Sequence, residues 1–284
     1  MADPAHHGDF TAAAELPGGR SAGLSGEAAG DGPPIVLLHG LTATRRYVVM
    51  GSRVLEREGF KVIAYDARGH GESAPPEDPG AYDYDDLVAD LEAVLDEHEL
   101  YSAALAGASM GAHTALALAL RRPERVSALV LITPAYAGSG EHDVEELRGW
   151  DRLADGLDHG GVEGFIEAWQ PQIDGRWREA ALTSARQRLE RHRHLSAVAD
   201  ALRAVPRSQP FAGLDDLRSV RAPSLLVPSR DESDPAHPLS VAERYRAVLP
   251  DAELIVEDEG DSPLAWQGAQ LSRAIAAFLE RRAA

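Results

Sequence analysis

Ser109 stands in Gly107-Ala108-Ser109-Met110-Gly111, where an apolar run of strand character gives way to an apolar run of helix character. The chain must turn sharply through the serine, and small flanking residues permit that turn. Such a turn exposes the hydroxyl and sets it at a helix N-terminus, where main-chain N–H groups favour negative charge. This G-x-S-x-G setting predicts a nucleophile. His39-Gly40-Leu41 follows an earlier strand. A loop there aims the N–H of Leu41 at the point served by the N–H of Met110. Two such donors form an oxyanion hole, in which each stabilises a transition state by roughly 3 kcal/mol. The plainer alternative for His39-Gly40 is a tight turn, with His39 merely lining the site.

Asp66 to Ser73 is a Gly-rich, charged loop after another strand, best read as a polar network that holds the loop beneath the serine turn. The remaining groups able to move protons lie late in the chain: Asp231, Asp234 and His237 in one loop, and Asp261 after the last strand. His113 follows Ser109 by four residues and is expected to be a satisfied core histidine. His192 and His194 are expected in solvent.

These residues need a scaffold. Ile35–Leu38, Val62–Tyr65, Ala103–Ala106, Leu129–Ile132, Ser224–Val227 and Leu254–Val256 are short apolar runs stopped by turn residues, the pattern of strands buried on both faces. Helical stripes separate them: Leu87, Leu91, Val94 and Leu95 on an acidic helix, an all-apolar helix over Met110 to Leu120, and Leu271, Ile275, Phe278 and Leu279 at the end. Strands alternating with helices predict a parallel sheet covered on both faces. Residues 136–206 break the alternation. They hold three of the four tryptophans, Trp150, Trp169 and Trp177, but no convincing strand, and predict a helical cap inserted into a core formed by 1–135 and 207–284. The tryptophans are expected in the lid's own core. The first 30 residues allow a weak hairpin.

Composition narrows the partners. The 284 residues carry 28 basic and 46 acidic side chains, a net charge of −18. That field repels nucleic acid and anionic membranes. No cysteine is present, which excludes disulfides and thiolate chemistry. Lys61 is the single lysine and asparagine is absent, as a G/C-rich genome would produce. Without an apolar run of membrane-spanning length, and with Met1 to Leu16 unlike a secretory leader, a cytoplasmic protein acting on a small molecule is expected, as a monomer or homodimer.

His39-Gly40, the Asp66 to Ser73 loop and Gly107 to Gly111, in that order and spacing, resemble the α/β-hydrolase superfamily, in its cap-bearing esterase-like branch. The resemblance runs from about Pro33 to Leu279. It implies a mostly parallel eight-stranded sheet, a helical cap, a Ser–acid–His triad in that chain order, and no cofactor. A serine nucleophile disfavours the members that use aspartate there. The implied function is hydrolysis of a small, uncharged or weakly polar ester, lactone or similar acyl substrate through an acyl-enzyme.

The pattern departs at the end. By its offset from the penultimate strand, Asp231 matches the family acid, with Asp234 as its rival. The family histidine follows the last strand, but this chain reads Gly260-Asp261-Ser262-Pro263 and has no histidine after His237. Asp261 is then expected at the mouth of the serine pocket, in place of the ring. Three readings stay open. His237 serves as the base, stiffened by Pro235 and Pro238; the triad is dead and the protein only binds a ligand; or a carboxylate pair, Asp231 and Asp261, moves the proton. The first is preferred. A metal held by these same loop residues is a minor alternative, and none is expected.

Overall fold

The computed structural model describes residues 7–138, 144–169 and 175–283. Eight strands form one sheet: β1 (His7–Ala13), β2 (Gly23–Ala29), β3 (Pro34–Leu38), β4 (Lys61–Tyr65), β5 (Ala103–Ala108), β6 (Val126–Ile132), β7 (Ser224–Val227) and β8 (Ala252–Leu254). Their order is β1-β2-β4-β3-β5-β6-β7-β8. β1 and β2 are antiparallel, to each other and to β4, and every other pair is parallel. The expected hairpin is therefore real, and β2 grafts it onto the parallel sheet. Parallel neighbours end on the same edge. The loops after β3, β4, β5, β6 and β7 accordingly open together, and these are the loops that carry His39, Asp66, Ser109, Thr133 and Asp231 to His237.

Helices cover both faces. α1 (Val54–Arg57) and α8 (Gly268–Ala283) lie on one, where Leu55, Leu271, Ile275 and Phe278 pack against Ile35, Leu37 and Val130. α2 (Tyr84–Glu97), α3 (Met110–Arg121) and α7 (Leu239–Val248) take the other, with Leu91, Leu95, Leu116 and Tyr245 against Val36, Leu105 and Leu129. Strand residues alternate between the two clusters, as the period of two requires. This accounts for continuous apolar runs with no polar face.

The last strand is a correction. It spans Ala252–Leu254, two residues before the expected start of the run, and all three of its residues are half-buried. It is an edge strand, so an uninterrupted apolar run was the wrong cue for it.

Between β6 and β7 lie α4 (Val144–Ala168), α5 (Arg178–Leu189) and α6 (Leu195–Ala204), with no strand among the described residues. Parts of the expected 136–206 cap, residues 139–143 and 170–174, lie outside those described, as do Met1 to His6 of the lead. α4 breaks at Gly161, whose φ of +59° and ψ of −146° no helix accommodates. The insertion has its own apolar cluster, including Leu157, Phe165, Leu189, Val198 and Leu202, which meets the rest of the chain at Leu41.

His192 is buried rather than solvated, because it fastens this insertion. Its Nδ1 accepts from the Gly71 N–H at 2.8 Å, and its Nε2–H donates to the Thr42 carbonyl at 3.2 Å. Arg193 N–H adds a bond to the Gly71 carbonyl at 3.0 Å. His194 is exposed. Among the described residues no helix is long and apolar enough to cross a membrane.

Candidate active site

Ser109 has φ +48° and ψ −112°, a strained conformation for a residue with a side chain. The neighbours make it possible. A Cβ on Gly107 would stand 2.3 Å from the Gly111 carbonyl, and one on Gly111 would stand 2.2 Å from the Leu38 carbonyl. Only hydrogen fits at either position, so β5, α3 and β3 close tightly around the turn. Ser109 N–H donates to the Ile132 carbonyl at 2.9 Å. Met110 begins α3, where a helix leaves its first N–H groups without an internal acceptor.

The Ser109 hydroxyl donates to His237 Nε2 at 3.0 Å. On the other side of the ring, His237 Nδ1–H donates to Asp234, with both carboxylate oxygens at 2.9 Å. Burial works to lower the His237 pKa, and the Arg188 charge adds to it. The Asp234 carboxylate outweighs both and holds the imidazole above its ordinary value. Burial works to raise Asp234, but His237 and Arg188 hold its carboxyl below the usual range.

Asp231 is not beside the imidazole. It is exposed, and its carboxylate accepts from the Leu239 N–H at 2.7 Å, which ties down the start of α7. The expectation that Asp231 orients the histidine is corrected to Asp234. Asp261 is also misplaced by the expectation. Its side chain is exposed and takes no part in lining the serine pocket. The segment after it brings Ala265 and Trp266 to the pocket wall instead.

His39 lies beneath the site rather than in it. Its Nδ1–H donates to the Gly40 carbonyl at 2.8 Å, and its Nε2 accepts from the Ala67 N–H at 2.8 Å. Burial pushes it down to about 3, with the His70 charge adding to the effect, so the ring is neutral. The Gly40 carbonyl belongs to the peptide that carries the Leu41 N–H, so His39 holds that peptide in place. The Leu41 N–H has no acceptor among the described residues. A Cβ on Gly40 would lie 3.5 Å from that of Ser109, which puts this loop against the serine turn.

The Asp66 to Ser73 loop is the expected network. Asp66 accepts from the Arg45 main chain and guanidinium and from the Glu72 N–H, while Ser73 donates to the Asp66 carbonyl at 2.6 Å. Arg68 is fully buried, with Asp90 at 2.7 and 2.8 Å. His113 is buried too, and burial pushes it down to about 3. Its Nδ1 meets Tyr84 Oη at 3.1 Å and its Nε2 accepts from the Ala135 and Tyr136 N–H groups, so it secures the loop after β6.

A cavity of about 240 Å³ opens over Ser109. Its floor is Gly40, Leu41, Ser109 and His237, and its roof is Trp150, Leu153, Phe165, Trp169 and Arg188 from the insertion. Trp150 and Trp169 pack against the insertion's own apolar cluster, as expected, and also border the cavity. Trp177 instead packs edge-on against Trp266 at 5.8 Å. Tyr47, Arg188 and Trp266 escaped the sequence reading. No periodicity marks them, and Arg188 is one of a run of arginines along and after α5. A larger cleft of about 480 Å³, bordered by Arg45, Arg53 and Glu72, does not include Ser109. Among the described residues no cluster of three or more His, Asp or Glu is arranged to hold a metal.

The family model for the alpha/beta hydrolase fold matches residues 33–224. The sn-1-specific diacylglycerol lipase ABHD11 of Mus musculus is 38% identical over 113 residues, 39% of this chain and 36% of that one. An epoxide hydrolase of Caballeronia sordidicola is 28% identical over 256 residues, 86% of this chain and 70% of that one. The chain spans less than half the length of several curated relatives it matches, at 40%, 49% and 36%. A thermophilic esterase from Thermogutta terrifontis superposes with a TM-score of 0.80 at 23% identity, covering 97% of this chain and 99% of that one. At that identity the likeness concerns the fold.

Proposed function

The chain belongs to the alpha/beta hydrolase fold family, and on that premise we propose that it is a serine hydrolase of small esters, lactones or similar acyl substrates. One observation carries the reading: the hydrogen-bonded line Asp234–His237–Ser109 at the floor of a cavity. His237 takes the proton of Ser109 as the oxygen attacks the acyl carbon. Asp234 fixes the ring orientation and stabilises the imidazolium. The Leu41 and Met110 N–H groups receive the oxyanion, each worth roughly 3 kcal/mol to the transition state. The imidazolium then protonates the leaving alcohol, or the ring oxygen of a lactone. Water, deprotonated by His237, frees the acid from the acyl-enzyme and restores Ser109. No cofactor enters this cycle.

Residues 136–206 act as a cap that shapes the acyl pocket and keeps bulk water from it. The cavity volume favours short acyl chains. The esterase likeness in fold agrees with this reading.

Fluorophosphonate labelling tests it. A protein that only binds a ligand leaves Ser109 unmodified, whereas an activated serine forms a stable phosphonyl adduct. Labelling that survives in Ser109→Ala, or is absent from the unaltered protein, overturns the assignment.

A further inference from the structure

Arg188 projects from α5 into the cavity that holds Ser109 and His237. Its Nε is sealed from solvent and has no hydrogen-bond acceptor among the described residues. No carboxylate among them lies within ion-pair distance of it. Other arginines in and beside the insertion are paired. Arg186 pairs with Glu163 at 2.8 Å, Arg203 with Asp155 and Asp158 at 2.7 and 2.8 Å, and Arg207, just after the insertion, with Asp151 at 2.8 Å. Even fully buried Arg68 is satisfied by carboxylates and carbonyls. In a chain with 46 acidic side chains, leaving the sealed Nε–H of a guanidinium without an acceptor is unfavourable unless something else supplies one.

Among the described residues the carboxylate that acts on Arg188 is Asp234, from beyond ion-pair distance. Asp234 is already engaged by His237 through both oxygens. The Trp169 ring lies 6.0 Å from the guanidinium carbon, and so borders the group without satisfying its donors. The rest of the roof is mainly apolar, Trp150, Leu153, Phe165 and Ala181, with Ser184 one turn before Arg188. The same cavity therefore carries the planar N–H donors of a guanidinium, a mainly apolar roof and the serine.

We propose that Arg188 binds a carboxylate carried by the substrate, so that the preferred substrates are esters or lactones whose acyl chain ends in a second, free carboxylate. The inference rests on the serine-hydrolase reading and specifies its substrate class. It departs from the uncharged substrate that the sequence favours. A guanidinium fork matches a carboxylate through two parallel hydrogen bonds. Among the described residues Arg188 is the single arginine in the cavity wall and no lysine lies there, so a monoanion is matched and a phosphate dianion is not. The negative field of the whole chain would repel such a substrate at long range, so selection must come from the fork itself.

The test compares p-nitrophenyl butyrate with the mono-p-nitrophenyl ester of glutaric acid, at alkaline pH where His237 is neutral in every variant. The expected result is a kcat/KM ratio of about tenfold or more in favour of the half-ester, carried by KM. Arg188→Gln should bring that ratio close to one, and Arg188→Lys should keep part of it. A merely structural role would lower turnover of both esters together and leave the ratio unmoved. Glutarate alone should quench tryptophan emission, through Trp169, in the unaltered protein and not in Arg188→Gln. If Ser109 takes the fluorophosphonate and both esters turn over without preference, the carboxylate site is overturned while the hydrolase reading stands. If Ser109 stays unlabelled and neither ester turns over, yet glutarate binding still depends on Arg188, the hydrolase reading fails and the anion site stands.

Discussion

Asp234 and His237 are three residues apart, and one turn after β7 holds carboxylate and imidazole 2.9 Å from each other. The turn itself is bonded, His237 N–H to the Asp234 carbonyl at 3.1 Å and Asp234 N–H to the Arg230 carbonyl at 3.1 Å. Carboxylate and imidazole thus arrive on the same loop and do not depend on the loop after β8.

This relationship separates the two aspartates by experiment. Asp234→Asn should lower kcat by roughly 10³-fold or more, the scale on which a triad histidine loses its orienting carboxylate. Asp231→Ala should leave the chemistry nearly intact and cost about 1 kcal/mol of stability, because it removes an acceptor from the first turn of α7. Steady-state kinetics with urea unfolding distinguishes them. A larger kinetic loss in Asp231→Ala would return the acid to that position.

Ser109 was legible because everything that defines its turn is local. An apolar run, small residues and a second apolar run lie within a dozen positions, and Gly107 and Gly111 are needed by contacts of 2.3 and 2.2 Å that any side chain would violate. The choice between Asp231 and Asp234 was not legible. Both are acids in one loop, and the decision belongs to a turn geometry that no periodicity encodes. Arg188 was hidden for a different reason: what sets it apart is the absence of a partner in space. The Asp261 register failed because β8 ends at Leu254 and the following loop bonds locally, with Asp261 N–H to the Asp258 carbonyl at 3.0 Å.

Asp261→His therefore should not raise activity. The side chain at this position faces solvent, so a ring placed there has no path to Ser109. Turnover of p-nitrophenyl butyrate within about twofold of the unaltered protein is the expected outcome, since exposed substitutions away from a site are near neutral. A tenfold gain would mean that the loop visits the pocket.

The pH profile follows from His237. In the proposed mechanism its neutral form is the base, and Asp234 holds its pKa above the ordinary 6.5, so kcat/KM should fall as pH drops through a value above 6.5. Arg188 disfavours the imidazolium. Arg188→Gln should therefore move this acid limb to higher pH. In Asp234→Asn the raising partner is gone while burial and Arg188 remain, so the residual activity should have its limb moved lower. Initial rates on the neutral ester across pH 5 to 9 check both directions. Limbs that move the other way would remove His237 from the role of base.

Acid should unfold this protein through its buried neutral histidines. Burial pushes His39, His113 and His192 down to about 3, with neighbouring histidine charges adding to the effect. Unfolded, each would titrate near 6.5. Above pH 6.5 both states are neutral and stability from these groups is at its full value. Between 6.5 and about 3 the unfolded chain holds more protons, so stability is lost as pH falls, by about 1.4 kcal/mol per pH unit for each histidine. His237 has the opposite sign: its raised pKa contributes stability below 6.5 that disappears as pH rises past its folded value. Burial also lowers His70 and His98, so five lowered histidines stand against one raised, and the histidine contribution below pH 6.5 should favour unfolding in acid. His192→Gln removes one titrating group together with the bonds to Gly71 and Thr42 that fasten the insertion. That variant should be less stable at pH 8, by about 1 to 3 kcal/mol for the lost buried partners, and should lose stability less steeply in acid. Urea midpoints at pH 8, 6 and 5 measure both quantities. A pH slope unchanged by the substitution would show that His192 carries its proton in the folded state, and that the contact between insertion and core is an ionic one.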